Sequence, residues 1–179
     1  MTLNRTVALV GMMGAGKTAI GKRLAARLEV RFADADQEIS ACAADMTIAE
    51  IFEKYGEPEF RRLERNVIAR LLAEPPLVLA TGGGAYMDDG TRAAMKADAF
   101  TVWLKAPAEV LLGRVRKSST VRPLLSTPDP RGTLEKLLAV REPFYALADL
   151  AVESADESHT VLVDKIVDAL AAHGLLAGA

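Results

Sequence analysis

Histidine and cysteine are scarce in this chain: its 179 residues include two histidines and one cysteine. With a single thiol, Cys42, no internal disulfide can form, and a reducing cytoplasmic setting is expected. Cys42 reads as an ordinary buried or half-buried thiol rather than a nucleophile. His159 and His173 fall late in the sequence, far from any partner at metal-ligand spacing, so no histidine metal site is expected. There is no tract of five or more basic residues, and the formal net charge is −2. Neither a nucleic acid nor a membrane surface is therefore the expected partner. No apolar run approaches the ~20 residues of a membrane span. No signal-peptide pattern opens the chain, since only a few apolar residues follow Arg5 before glycine. Internal repeats and low-complexity segments are also missing.

What is present is a globular composition, half hydrophobic, of a length that makes one domain with a substantial core. Strand-like and helix-like segments alternate, which implies a parallel sheet covered on both faces. The strand candidates are Val7 to Val10, Arg31 to Ala35, Leu77 to Ala80, Phe100 to Leu104 and Leu150 to Val152. Thr47 to Glu50 has capping-box spacing and opens a helix that Gly56 stops. A second helix runs from near Pro58 to about Ala73. Asp88 precedes a further helix. Asp129-Pro130 reads as a cap plus first-turn proline, and a last helix carries Val161, Ile166, Val167 and Leu170. Residues 117 to 130 form a long loop rich in Ser, Thr and Pro, suited to a cover over a site.

The most specific motif is Gly11-Met12-Met13-Gly14-Ala15-Gly16-Lys17-Thr18, the phosphate-binding loop pattern. A chain that wraps a polyphosphate must turn its N–H groups inward, and glycine removes the side chains that would block the approach. An apolar strand precedes the motif. Ile20, Leu24 and Leu28 follow it at helical spacing, so a helix N-terminus should face the anion. Lys17 would reach the outer phosphates, and the Thr18 hydroxyl would ligate Mg²⁺.

Ligands of open parallel sheets bind beyond the C-terminal strand ends. The second strand delivers Asp34-Ala35-Asp36 there, and period-two spacing puts both carboxylates on one side of an extended strand. One could support a Mg²⁺ shell and the other could accept a hydroxyl proton, although a turn or cap would also use Asp. The third strand delivers Thr81-Gly82-Gly83-Gly84, where a close approach of backbone to ligand would explain three glycines. Arg122 lies in the long loop, where it could stabilise transferring charge. Arg61 with Glu64 could be a surface pair worth ~0.2–0.5 kcal/mol, and spacing alone does not separate Arg61 from Arg62. Phe52, Phe60 and Trp103 read first as core residues.

Taken together, Gly11 to Thr18, Asp34-Ala35-Asp36, Phe60 to Glu64, Gly82 to Gly84, Arg122-Pro123-Leu124-Leu125, and Arg141 with Pro143 and Tyr145 resemble the shikimate kinase family. They occur in that family's order and cover nearly the whole chain. The resemblance implies an α/β, three-layer P-loop fold of the nucleoside-monophosphate-kinase type, with a five-stranded parallel sheet and helices on both faces. It implies one kinase domain over residues 1–179, with a substrate-binding subdomain at about 37–65 and a lid at about 115–128. The implied reaction is ATP-dependent phosphorylation of the 3-hydroxyl of shikimate, on the route to chorismate and the aromatic amino acids.

Carried onto this sequence, the resemblance implies that Gly14, Ala15, Gly16, Lys17, Thr18 and Ala19, with Arg122, hold ATP. Thr18 and, through water, Asp34 hold Mg²⁺. Asp36 orients the substrate hydroxyls and acts as base. Arg61 and Arg141 bind the shikimate carboxylate, with help from the N–H groups of Gly82, Gly83 and Gly84. Ile48, Phe52, Phe60, Glu64, Pro123 and Leu124 line the pocket. Arg116 and the loop around Ser154 to His159 are variable positions on the adenine side and receive no assigned contact. The expected partners are the small molecules shikimate and ATP, acting on a monomer. Two other readings stay open: a gluconate- or nucleotide-kinase-like enzyme on the same fold, and a GTP-binding regulatory module. An Asn-Lys-x-Asp guanine motif is missing, and Asp34-Ala35-Asp36 together with Arg122-Pro123-Leu124-Leu125 disfavours the first.

Overall fold

The computed structural model describes residues 2–117, 125, 127–154 and 157–177. In chain order the elements are β1 (Thr2–Leu3), β2 (Thr6–Val10), α1 (Lys17–Leu28), β3 (Phe32–Asp34), α2 (Ala35–Cys42), α3 (Ile48–Leu72) and β4 (Val78–Ala80). A 3-10 turn (Ala85–Met87) follows, then α4 (Asp89–Asp98), β5 (Ala99–Lys105), α5 (Ala108–Lys117), α6 (Pro130–Tyr145), β6 (Leu150–Glu153), α7 (His159–Ala172) and β7 (Leu176–Ala177).

Five strands form one sheet in the order β3-β4-β2-β5-β6. Each neighbouring pair is parallel, with Val7 opposite Val78 on one side and Phe100 on the other. Alternation along β2 shows why the sheet has layers on both faces. Val7 and Leu9 pack with Ile20 and Leu24 of α1 and Ile166 of α7. Ala8 and Val10 pack instead with Ile39 of α2, Ile68 of α3 and Met95 of α4. A strand buried on both faces has no polar side, which is why Thr6–Val10 reads as a continuous apolar run. Separately, β1 and β7 pair antiparallel and clasp the two ends of the described chain together.

The predicted helix signals appear as local hydrogen bonds. Thr47 and Glu50 form a complete capping box at α3. Asp88 caps α4 through Thr91 N–H, and Asp129 caps α6 through Gly132 N–H. Gly56 does interrupt the helix, with φ 78° and ψ 170°, but helix resumes directly and α3 runs on to Leu72 as a kinked pair.

Several expectations need correction. The second strand stops at Asp34, one residue short of the predicted end, and Ala35 begins α2. Asp36 is therefore in a helix first turn, not two positions along a strand from Asp34. Cys42 is exposed at the last residue of α2, not buried or half-buried. The elements α2, α5, the 3-10 turn, β1 and β7 were not predicted.

Candidate active site

The sheet order makes β3, β4 and β2 neighbours, so the loops leaving their C-terminal ends lie side by side. From β2 comes the glycine loop. Gly14 and Gly16 take positive φ values of 81° and 94°, and Gly16 is the left-handed N-cap of α1. A residue with a Cβ would be strained there, and the turn leaves the α1 N-terminus aimed at the cavity. Lys17, buried at the start of α1, donates to the carbonyls of Gly11 and Met12 at 2.7 and 2.9 Å.

From β3 come the acids. Asp34 does two jobs: Oδ1 caps α2 by accepting from Asp36 N–H, and Oδ2 accepts from the Thr18 hydroxyl at 2.7 Å. The cap reading is thus realised, and the second carboxylate oxygen is placed beside Thr18. From β4 comes Thr81, whose hydroxyl donates to Leu9 O at 2.9 Å and ties the glycine turn to β2.

Two cavities open at this edge. The first is lined by Gly14, Gly16, Lys17, Thr18, Ala19, Asp34 and Thr81, closed by Arg114, Val115 and His159. The second is lined by Ile48, Phe52, Phe60, Arg61, Glu64, Gly84 and Arg141. Met13, Asp36, Gly82 and Gly83 line both, so the cavities adjoin along these residues, of which Asp36 brings the one carboxylate. One end presents backbone N–H groups and an ammonium. The other presents two guanidinium groups beside aromatic walls.

Charged side-chain ends approach closely at Gly82 and Gly84, whereas Gly83 has neighbours only at ordinary contact distance. A Cβ at Gly82 would stand 2.8 Å from Glu64 Oε1 and 3.1 Å from Asp36 Oδ1. At Gly84 it would stand 2.5 Å from an Arg61 nitrogen, and at Gly83 3.5 Å from Arg141 Nη1.

Arg61 and Arg62 are separated by burial. Arg61 lines the cavity and is 23% exposed, donating to Glu64 at 2.6 Å; Arg62 is 56% exposed and pairs with surface Glu59. The Arg61–Glu64 pair is not the surface pair that spacing suggested, because Glu64 is only 2% exposed and its Oε1 has no hydrogen-bond partner. Burial raises the Glu64 carboxyl above its ordinary range, Arg61 opposes this, and Asp36 and Asp88 add to it. Arg141 is also buried, with Nη1 3.7 Å from Met12 Sδ. Trp103 and Phe60 are core residues as expected, with Phe52 packed against the same core; Phe52 and Phe60 also line the cavity, their tilted rings 4.5 Å apart.

Sequence reasoning missed the far wall of the phosphate-loop cavity. Arg114, not Arg116, borders it, donating to Ser154 O at 2.6 Å and Ser154 Oγ at 3.1 Å. Ser154 Oγ in turn donates to Ala15 O at 2.9 Å, joining α5, β6 and the glycine loop. His159 stands beside them; burial lowers its pKa, and Arg23 and Arg114 lower it further. The α5 helix carries only Leu111 and Leu112 as buried residues. That is too little periodicity to fix which arginine points inward. Arg122, Pro123 and Leu124 lie outside the described residues.

Among the described residues no cluster of three or more His, Cys, Asp or Glu is placed to hold a metal. The donors that are placed suit Mg²⁺, which prefers oxygen ligands, keeps several waters and takes the rest from phosphates. Thr18 and Asp34 offer a hydroxyl and a carboxylate side by side at the end of the phosphate loop.

A glycine loop at a helix N-terminus, joined through one carboxylate to an arginine-lined acceptor pocket, defines a phosphate-loop kinase for a small polar acceptor. The Shikimate kinase family model matches residues 13–171. A shikimate kinase of Bradyrhizobium diazoefficiens is 54% identical over 169 residues, covering 94% of this chain and 81% of that one. The chain belongs to the shikimate kinase family. Its backbone is similar to that of the Acinetobacter baumannii shikimate kinase in complex with shikimate, with TM-score 0.90, 38% identity and 96% of each chain covered. A gluconokinase from Sinorhizobium meliloti shares the fold alone, at TM-score 0.63 and 16% identity over 97% of this chain and 95% of that one.

Proposed function

We propose that this protein transfers the γ-phosphoryl group of ATP to the 3-hydroxyl of shikimate, giving shikimate 3-phosphate and ADP on the route to chorismate. The observation that carries the reading is that the two cavities adjoin along residues that include Asp36. A phosphoryl donor bound at Gly14 to Ala19 and an acceptor bound at Arg61 and Arg141 would face each other across that carboxylate.

In this reading the loop N–H groups and Lys17 hold the phosphates, and Lys17 exchanges its loop carbonyl partners for phosphate oxygens. Thr18 and, through water, Asp34 would hold Mg²⁺, which would supply positive charge to the phosphates. Asp36 orients the ring hydroxyls and takes the proton from the attacking one. Arg61, Arg141 and the N–H groups of Gly82 to Gly84 grip the carboxylate, a planar anion that suits forked donors. Ile48, Phe52 and Phe60 give the ring an apolar wall. Residues at about 37–65 serve as the substrate-binding part, and about 115–128 as a lid from which Arg122 closes on the phosphates. The protein acts as a monomer in the cytoplasm, a setting that suits its one exposed thiol. No helix of the described residues is long and apolar enough to cross a membrane.

An acceptor screen tests the reading. ADP release should require shikimate and should be negligible with gluconate or nucleoside monophosphates. Turnover with either of those and none with shikimate would overturn it.

A further inference from the structure

Tyr145 accompanies Arg141 one helical turn later and has no part in the chemistry above, yet it is 1% exposed. Its hydroxyl donates to the carbonyl oxygen of Gly83. Its ring packs on Trp103, with centroids 5.9 Å apart. Burial pushes the phenol up to about 12, against the opposing pull of the Arg141 guanidinium beside it. The group thus remains a donor across the physiological range.

In a trans peptide the C=O of one residue and the N–H of the next point in opposite directions. Fixing the Gly83 carbonyl against Tyr145 therefore aims the Gly84 N–H away from the tyrosine, and Gly84 lines the acceptor cavity. Arg141 lies four residues before Tyr145 on α6, on the same helix face. Its Nη1 stands 3.5 Å from where a Gly83 Cβ would be. One phenol thus ties the turn after β4 to the helix that carries Arg141.

The geometry points to Tyr145 as a positioning residue for acceptor binding: its hydroxyl sets the spacing between the Gly84 N–H and the Arg141 guanidinium, two donors on different elements that must converge on one carboxylate. It touches neither substrate and acts through those two groups. Two elements that are not covalently adjacent need such a peg, because a small displacement of either donor weakens a forked hydrogen bond to a planar anion.

This inference rests on the shikimate reading, and Tyr145→Phe tests it by removing only the hydroxyl. Losing one positioning bond should raise KM for shikimate roughly three- to tenfold. KM for ATP and kcat should stay within about twofold, and Tm should fall by only a few degrees. In an Arg141→Lys background the same change should have a smaller effect on KM, since coupled neighbours are not additive. An unchanged KM for shikimate, full additivity with Arg141→Lys, or a collapse of Tm with kcat and both KM values disturbed together overturns the inference alone. Absence of shikimate turnover by the unsubstituted enzyme overturns the underlying reading, and this inference falls with it.

Discussion

At the residue scale, burial decides which charges matter. Arg61 and Arg62 are adjacent in sequence between Phe60 and Leu63, and no pattern of spacing separates them. The fold places Arg61 in the cavity and Arg62 in solvent. Arg61→Ala should therefore raise KM for shikimate by roughly tenfold or more, the loss of a charged hydrogen-bond donor. Arg62→Ala should leave the kinetics unchanged, as breaking an exposed ion pair usually does. Steady-state kinetics of the two variants checks this. Glu64 makes a second prediction. Its pKa is raised from 4.5 by burial, with Arg61 opposing, so the folded state binds more protons than the unfolded one above that value. Its contribution to stability is then largest at low pH and falls as pH rises through the raised value. Glu64→Gln lacks this dependence. The Tm advantage of the unsubstituted protein over Glu64→Gln should shrink between pH 4.5 and pH 8, as scanning calorimetry can read. A growing advantage would mean that the pair with Arg61 outweighs burial.

At the scale of elements, three capping side chains make their helices legible, whereas the Asp34 cap of α2 does not, because it reads equally as part of a strand. Thr47, Asp88 and Asp129 each cap the helix that the sequence suggested. Elements with few buried residues left no trace. The α2 helix buries only Ala35 and Ile39, and β1 and β7 have two residues each, too few for any period to show. Because α2 leaves no such signal, the sequence pattern alone puts Asp34 and Asp36 on one strand. The two carboxylates reach the same cavity by a different route, with the cap bond of Asp34 opening the helix that turns Asp36 inward. Gly56 sets the angle between the pocket-lining start of α3 and its long second half. Its φ of 78° and ψ of 170° lie in a region essentially reserved for glycine. Gly56→Ala should cost about 1–3 kcal/mol in stability. It should also raise KM for shikimate through displacement of Ile48 and Phe52, leaving KM for ATP near its original value. Thermal melts and kinetics together would detect both effects.

At the scale of the whole molecule, alternating strands and helices fixed the layer architecture in advance, and the glycine loop marked the catalytic edge. The order of the strands was not readable, because it depends on which apolar runs pair across the sheet. That order is what makes the site. With β3, β4 and β2 adjacent, the acid pair, the glycine turn and the phosphate loop become one rim, and the helices behind them add Arg61 and Arg141. In the proposed reaction Asp36, which lines both cavities, connects donor to acceptor. The most direct test is shikimate-dependent ADP release with Mg²⁺, compared between the unsubstituted enzyme and Asp36→Asn, with ATP affinity measured in parallel. Robust release is expected from the former. A loss of kcat on the order of 10²–10⁴-fold is expected in the latter, with ATP affinity preserved. Undiminished turnover by Asp36→Asn would contradict this role.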